Sequence, residues 1–413
     1  MVIKVHYSVF LYSIKVTVQM TISKISCQIN HLKHTPRTDL FDFATNDIAQ
    51  AISRFHKSLP GYQPTPAVSL INLSHRLGVK EILVKDESQR FDLNAFKVLG
   101  ASYAMARYLA DVIHLNETEL NYDAICARKA EYEHITFVTA TDGNHGRAVA
   151  WVSGAFGCQS VVYLPKGSSV ARLEAIRASG ATAEITELNY DDTVLHAEKM
   201  GRENGWVLLQ DTSWEGYEEI PLTIMQGYFS LGSEFVEEHP DVWPTHVFLQ
   251  AGVGSLAAGV MAYLYAVDER PTPKIIVVEP DEAPCLYESI RKNEGEAYKV
   301  TGDMPTIMAG LACGEPSYFG LKVIKSITDA FLMCSDDVAR RGMKVMGNPL
   351  AGDQAIISGE SGAVTLGALY ELMENDSFAG IRNDLGLDAN SSIMLLSTEG
   401  DTDAEFYRET VWS

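Results

Sequence analysis

The stretch LNAFKVLG, Leu93 to Gly100, sets a lysine between two kinds of periodicity. Upstream, EILVKDES reads as a β-branched, apolar strand; downstream, ASYAMARYLA reads as an amphipathic helix, so Lys97 falls in that helix's first turn. The positive end of a helix dipole disfavours an ammonium there. An amine that must spend time neutral is served by the same field, which helps to lower its pKa. Lys97 is therefore either a stray surface charge or a nucleophile held near neutrality.

Outward from this strand and helix the same alternation continues. Short Val/Ile-rich runs (HITFVTAT, CQSVVYLP, ATAEITEL, WVLLQDTS, THVFLQAG, PKIIVVEP and SIMLLSTEG) are separated by helical periods from about Phe41 onward. This is the signature of βαβ units, an α/β fold with mostly parallel sheets flanked by helices. With 413 residues, 46% of them hydrophobic, two domains are expected. Acidic or Asn-rich crossings at 111–123 and 234–246 suggest an inserted unit. The expected organisation is an N-terminal extension over 1–35, a large ligand-binding domain from 36–112 and 231–413, and a smaller mobile domain over 113–230. Within the extension Lys4, His6 and Lys15 interrupt the apolar patches, which argues against a spanning helix, and arginine is absent, which argues against a transit peptide.

Charge narrows the function. Lys+Arg of 33 against Asp+Glu of 54 gives a net charge of -21, which repels phosphate backbones and anionic lipid. Nucleic-acid and membrane partners are not expected. The six cysteines, at 27, 126, 158, 285, 313 and 334, form no C-x-x-C pair and no zinc-type spacing with histidine. Reduced thiols, a cytoplasmic setting and no metal site follow as expectations.

In open α/β sheets ligands bind beyond the carboxyl ends of strands, and four such ends carry chemistry here. The first holds Lys97. The second, TATDGNHGRAVAW (139–151), offers the Asn144 amide between Gly143 and Gly146, glycines that let a planar ligand approach. In the third, QAGVGSLAAG (250–259), Gly252, Val253, Gly254, Ser255 and Leu256 present backbone N–H groups and a hydroxyl at a helix start, a cradle for a phosphate ester. No Lys-Ser/Thr follows, so a triphosphate P-loop is excluded. Gly252-x-Gly254-x-x-Ala257 also fits a dinucleotide fingerprint, with Glu279 as ribose acid, and leaves an NAD-dependent dehydrogenase as a rival. The fourth end, LLSTEGDTD (395–403), supplies Ser397 and Thr398, neutral hydroxyls suited to a heteroaromatic nitrogen. A lysine, an asparagine beside a glycine turn, a phosphate cradle and a C-terminal hydroxyl match the parts needed for pyridoxal 5'-phosphate (PLP). Dinucleotide binding explains only the third.

The order of these motifs resembles the fold type II PLP enzymes, relatives of tryptophan synthase β and threonine dehydratase. Within that group DLNAFKVLG, TATDGNHGRAVAW, QDTSWEGYEEIPLTIMQGY, TIMAGLACGEPS and STEGDTD resemble the diaminopropionate ammonia-lyase family, from about GYQPTPAVSL to the C-terminus. The resemblance implies that Lys97 carries PLP as an imine, that the Gly252–Ser255 loop grips its phosphate and that Asn144 lies at the ring hydroxyl. It leaves Ser397 and Thr398 as alternatives at the pyridine nitrogen. It also implies α,β-elimination of ammonia from 2,3-diaminopropionate, giving pyruvate and a second ammonia, in a homodimer. Asp142 and Asp211 match family aspartates associated with proton abstraction from the D and L substrates. A serine/threonine dehydratase is the nearest alternative, although the phosphate loop departs from the tetraglycine of many such enzymes. In SWEGYEEIP, Trp214 and Tyr217 read either as a loop over the substrate or as packed aromatics.

Overall fold

A computed structural model describes residues 24–33, 38–141 and 143–413. Their eleven strands build two sheets, one of seven and one of four. The larger comprises β1 (Ile25–Ile29), β2 (Ala67–Ser69), β3 (Glu81–Asp86), β8 (His246–Gln250), β9 (Lys274–Pro280), β10 (Ala330–Cys334) and β11 (Ser392–Ser397), in the order β1-β10-β9-β8-β11-β3-β2. The smaller comprises β4 (Thr136–Ala140), β5 (Gln159–Leu164), β6 (Thr182–Ile185) and β7 (Val207–Leu208), in the order β6-β5-β4-β7. Only the edge strands β1 and β2 pair antiparallel; every other pairing is parallel.

The unbroken apolar runs have a direct cause. In β9, Ile275 and Val277 join the core on one face of the large sheet, while Ile276 and Val278 join the core on the other. A parallel strand covered by helices on both sides has no polar face to alternate with. Three strands were not legible as runs. β10 follows the Tyr318–Ile327 helix with only Thr328 and Asp329 between them, so the two apolar segments merge. β2 is three residues long, and β1 lies within the expected extension, whose residues 25–29 thus belong to the large sheet.

The helix after Lys97 is not the amphipathic element its composition suggests. In Lys97–Val112, every residue from Val98 to Ala106 is buried, because it runs between the Asn144–Phe156 and Glu219–Gly227 helices. Small residues permit that crossing: a Cβ on Gly227 would lie 2.5 Å from the Leu99 carbonyl oxygen and 2.8 Å from the Gly100 Cα. Both obstacles are backbone and cannot rotate away.

An ionic cluster sits beneath the loop that leads to Lys97. Glu234, on the Phe229–Glu238 helix, accepts from Arg90 Nη1 (2.8 Å) and Nη2 (2.7 Å), from Lys85 Nζ of β3 (2.7 Å) and from the Tyr62 hydroxyl (2.6 Å). Arg90 Nε also donates to Glu87 at 2.8 Å, and all four charged side chains are buried. Burial pushes the Glu234 carboxyl up, but the Arg90 and Lys85 charges outweigh it and hold the group well below the usual carboxylate range. The cluster ties β3, the following loop and a helix into one block.

Two substitutions check this architecture. Gly227→Ala is expected to lower stability by about 1–3 kcal/mol through overpacking, read by thermal or urea unfolding. Glu234→Gln strands two buried cations against Glu87 alone and is expected to cost about 3–5 kcal/mol. A loss below about 0.5 kcal/mol in either variant contradicts the packing described.

Candidate active site

The approach to Lys97 is backbone held against its preference. Phe91, Asp92 and Asn94 have φ of 52°, 56° and 61°, in the left-handed region, which costs a non-glycine residue roughly 1–2 kcal/mol. Hydrogen bonds to the loop after β11 fix the path. Gly400 N–H donates to the Asn94 carbonyl (2.9 Å) and Phe96 N–H to the Thr398 carbonyl (3.2 Å), while Ala95 pairs with Glu399 as an isolated antiparallel bridge. Arg147, from the helix behind, donates to the Leu93 carbonyl at 3.1 Å. The lysine loop and the C-terminal hydroxyl loop, more than 300 residues apart, form one unit.

Lys97 Nζ lies 2.5 Å from Asp211 Oδ2 and donates to it. Asp211 follows β7 of the small sheet, so the pair spans the two sheets. The field at the helix start thus faces an opposing carboxylate. Burial pushes Asp211 up, yet Lys97 and then His145 outweigh it and hold the group down at about 2, so it is ionised at neutral pH. His145 Nδ1 is 3.8 Å from Asp211 Oδ2, and its Nε2 bonds to the Leu209 carbonyl at 2.8 Å. Ser255 Oγ donates to the Asp211 carbonyl at 2.7 Å and so ties the glycine loop to the same point.

That loop forms one wall of a cleft. Gly254 has φ of 99°, a conformation that favours glycine, and a Cβ there would also press on Ile324 Cδ1 at 2.6 Å. The chain then enters the Ser255–Ala262 helix, whose free N–H groups suit an anion. Gly252 through Leu256 all line the cleft, together with Lys97, Asn144, Asp211 and Thr398. Two buried oxygens in the lining, Gln250 Oε1 and Ser361 Oγ, have no hydrogen-bond partner among the described residues. Buried polar atoms normally have one, so the cleft is built for a polar ligand. A flat molecule with a phosphate tail fits this wall, and an amine-reactive group on it would meet Lys97.

Of the two candidate hydroxyls, only Thr398 lines the cleft. Its Oγ1 accepts from Gln250 Nε2 at 3.0 Å, whereas the fully buried Ser397 hydroxyl donates to Ser358 Oγ at 2.9 Å. Asp142 lies outside the described residues. Glu279 has a different task from the ribose acid of the dinucleotide reading. It is fully buried and accepts from the Leu286 and Tyr287 N–H groups (2.8 and 2.6 Å) at the start of the Cys285–Lys292 helix. Burial pushes its carboxyl up to about 8 despite those two bonds. An acid committed to a helix start cannot hold a ribose. Tyr217 accepts from the Gln210 N–H and donates to the Leu208 carbonyl, both at 2.9 Å, and stacks on Trp214, so the pair packs against its own strand.

Several lining residues were not singled out from the sequence: Phe96, Gln250, Tyr228, Ser361, the Ala309–Cys313 turn and Glu399. Gln250 and Glu399 stand directly beside chosen residues in QAGVGS and STEGDTD, and that adjacency was the available signal. Tyr228 closes the quoted stretch QDTSWEGYEEIPLTIMQGY without being picked out in it, and Ser361, near the start of the Glu360–Glu374 helix, lies in no motif and carried no signal.

Comparison with known proteins agrees with the geometry. The family model described as pyridoxal-phosphate dependent enzyme matches residues 59–381. The diaminopropionate ammonia-lyase of Salmonella typhimurium is 49% identical over 373 residues, 89% of this chain and 92% of that protein. The crystal structure of the Escherichia coli diaminopropionate ammonia-lyase in complex with D-serine superposes with a TM-score of 0.88 at 44% identity, covering 94% of this chain and 97% of that one. The same enzyme in complex with an aminoacrylate-PLP azomethine reaction intermediate gives 0.86 at 43% identity, covering 95% and 97%. The two-sheet α/β architecture, the lysine cleft and near-half identity along almost the whole chain place this protein among the pyridoxal-phosphate dependent enzymes, in the diaminopropionate ammonia-lyase family.

Proposed function

We propose that this chain is a PLP-dependent carbon–nitrogen lyase that eliminates ammonia from 2,3-diaminopropionate, D or L, and releases pyruvate and a second ammonia. The observation that carries the reading is the 2.5 Å contact between Lys97 Nζ and Asp211 Oδ2 beside the glycine cradle. When bound, PLP supplies a conjugated ring that accepts the electron pair left on Cα after its proton is removed. The chain's own groups do the rest. Lys97 would hold the cofactor through Nζ, and as a free amine it would take the Cα proton from one face. The Gly252–Ser255 N–H groups grip the phosphate, and Asn144 meets the ring hydroxyl. Thr398 would meet the ring nitrogen: its Oγ1 accepts from Gln250 and keeps its own proton to donate, and a neutral hydroxyl would not force that nitrogen to protonate.

Asp211 has two tasks in this scheme. Ionised and buried, it attracts the substrate's second ammonium, and from its place beside Lys97 Nζ it exchanges a proton with that amine. Amine departs well only when protonated, so a carboxylate that keeps the β-nitrogen cationic favours loss of ammonia. Asp211 is assigned this task for one enantiomer and Asp142 for the other. The 113–230 segment is taken as the domain that closes over the substrate and excludes water from the carbanion. A homodimeric, cytoplasmic enzyme completes the reading. All six cysteines are free thiols, which suits a reducing compartment, and among the described residues no helix is long and apolar enough to cross a membrane.

Lys97→Ala is expected to lower pyruvate formation from both enantiomers on the order of a thousandfold or more. Asp211→Asn is expected to lower turnover of one enantiomer about a hundredfold and to spare the other by comparison. Undiminished turnover by the Lys97 variant, or equal rates on both enantiomers by an unimpaired Asp211 variant, removes these roles.

A further inference from the structure

Between the cofactor cleft and the C-terminal loop lies an acid with no place in the scheme so far. Glu399 is 4% exposed, follows Thr398 directly and lines the same cleft. Its two oxygens serve two different parts of the molecule. Oε2 accepts from Asn144 Nδ2 at 2.6 Å, at the start of the helix after β4 of the small sheet, and Oε1 accepts from the Ser361 N–H at 3.2 Å, at the start of the Glu360–Glu374 helix beside the large sheet. Its backbone belongs to the segment that pairs with the lysine loop, through the Ala95 bridge and the Phe96 N–H to Thr398 carbonyl bond. The Glu399 carbonyl also accepts from the Gly359 N–H at 3.0 Å.

A carboxylate is the side chain that suits this position. It only accepts, and it has an oxygen for each of the two donors; a glutamine has a single accepting oxygen and would turn an NH2 towards a donor. Because one N–H of the Asn144 amide is committed to Glu399, the amide's plane and its choice of N over O are fixed, and its second N–H remains for a ligand oxygen. The neighbouring acid Glu360 is pushed up to about 7, by burial first and then by the Glu399 charge, with Arg172 at 3.7 Å.

We infer that Glu399 is a positioning residue, which orients the Asn144 amide towards the ring hydroxyl of PLP and couples that contact to the loop carrying Lys97. This rests on the cofactor reading above. Glu399 touches no reacting atom; it acts through Asn144, and its effect must therefore vanish when Asn144 is gone.

The test is a double-mutant cycle on the holoenzyme with wild type, Glu399→Gln, Asn144→Ala and the double variant. The PLP dissociation constant of each is read by equilibrium dialysis, the pH profile of the visible cofactor band by absorption, and folding by melting temperature. Glu399→Gln is expected to weaken PLP binding about tenfold or more, the scale of a charge-assisted hydrogen bond, and to shift the band's pH midpoint. In the Asn144→Ala background the same change is expected to alter the constant by less than about twofold. If the glutamine variant does not fold, Glu399→Asp, which keeps the charge but withdraws the oxygens, is expected to show the same loss and the same silence without Asn144. Penalties that multiply, or a Glu399 variant that binds PLP and titrates as wild type does, overturn the inference. A wild-type protein that binds no PLP overturns instead the reading on which it rests.

Discussion

One amine held against one carboxylate across two sheets organises this molecule. Lys97 reaches the cleft from the loop after β3 of the large sheet, and Asp211 reaches it from the end of β7 in the small one. The pair also sets the local electrostatics: a carboxylate this buried would ordinarily be pushed towards its neutral acid, and the Lys97 charge reverses that. Chemistry that needs an amine able to exchange a proton, close to an anion able to hold a substrate ammonium, requires this proximity before any cofactor is considered.

Holding the amine there imposes a cost on the backbone, which the surroundings offset. Three non-glycine residues in a left-handed conformation precede Lys97. They are bracketed by the Glu87–Arg90–Glu234–Lys85 cluster on one side and by the 398–401 loop on the other. Strain of this kind persists only where neighbours over-determine the path. Glu399 belongs to that same bracket, and through Asn144 it extends to the helix behind the small sheet. Lys97, Asn144 and Thr398 are thereby placed by one connected set of hydrogen bonds.

Much of this was legible in the chain itself. The apolar runs of the central strands became strands because a parallel strand covered on both faces has no polar face, and the glycine loop declared itself because Gly254 takes a left-handed φ. What escaped did so for physical reasons. β10 merges with the helix before it, and burial of the helix after Lys97 on nearly every side depends on partners that periodicity cannot see. Glu279 kept the dinucleotide reading open because a helix-capping acid and a ribose-binding acid look alike at a strand end, and only the Leu286 and Tyr287 N–H groups distinguish them. Glu399 was passed over because it stands in STEGDTD beside two hydroxyl residues already chosen, and nothing in the sequence shows that its carboxylate meets Asn144.

The central claim is a covalent attachment at one nitrogen, and it can be read directly. Holoenzyme reduced with borohydride and digested is predicted to give one pyridoxyl-modified peptide by mass spectrometry, with the modification on Lys97. A modified lysine elsewhere, or no modified lysine at all, contradicts the account.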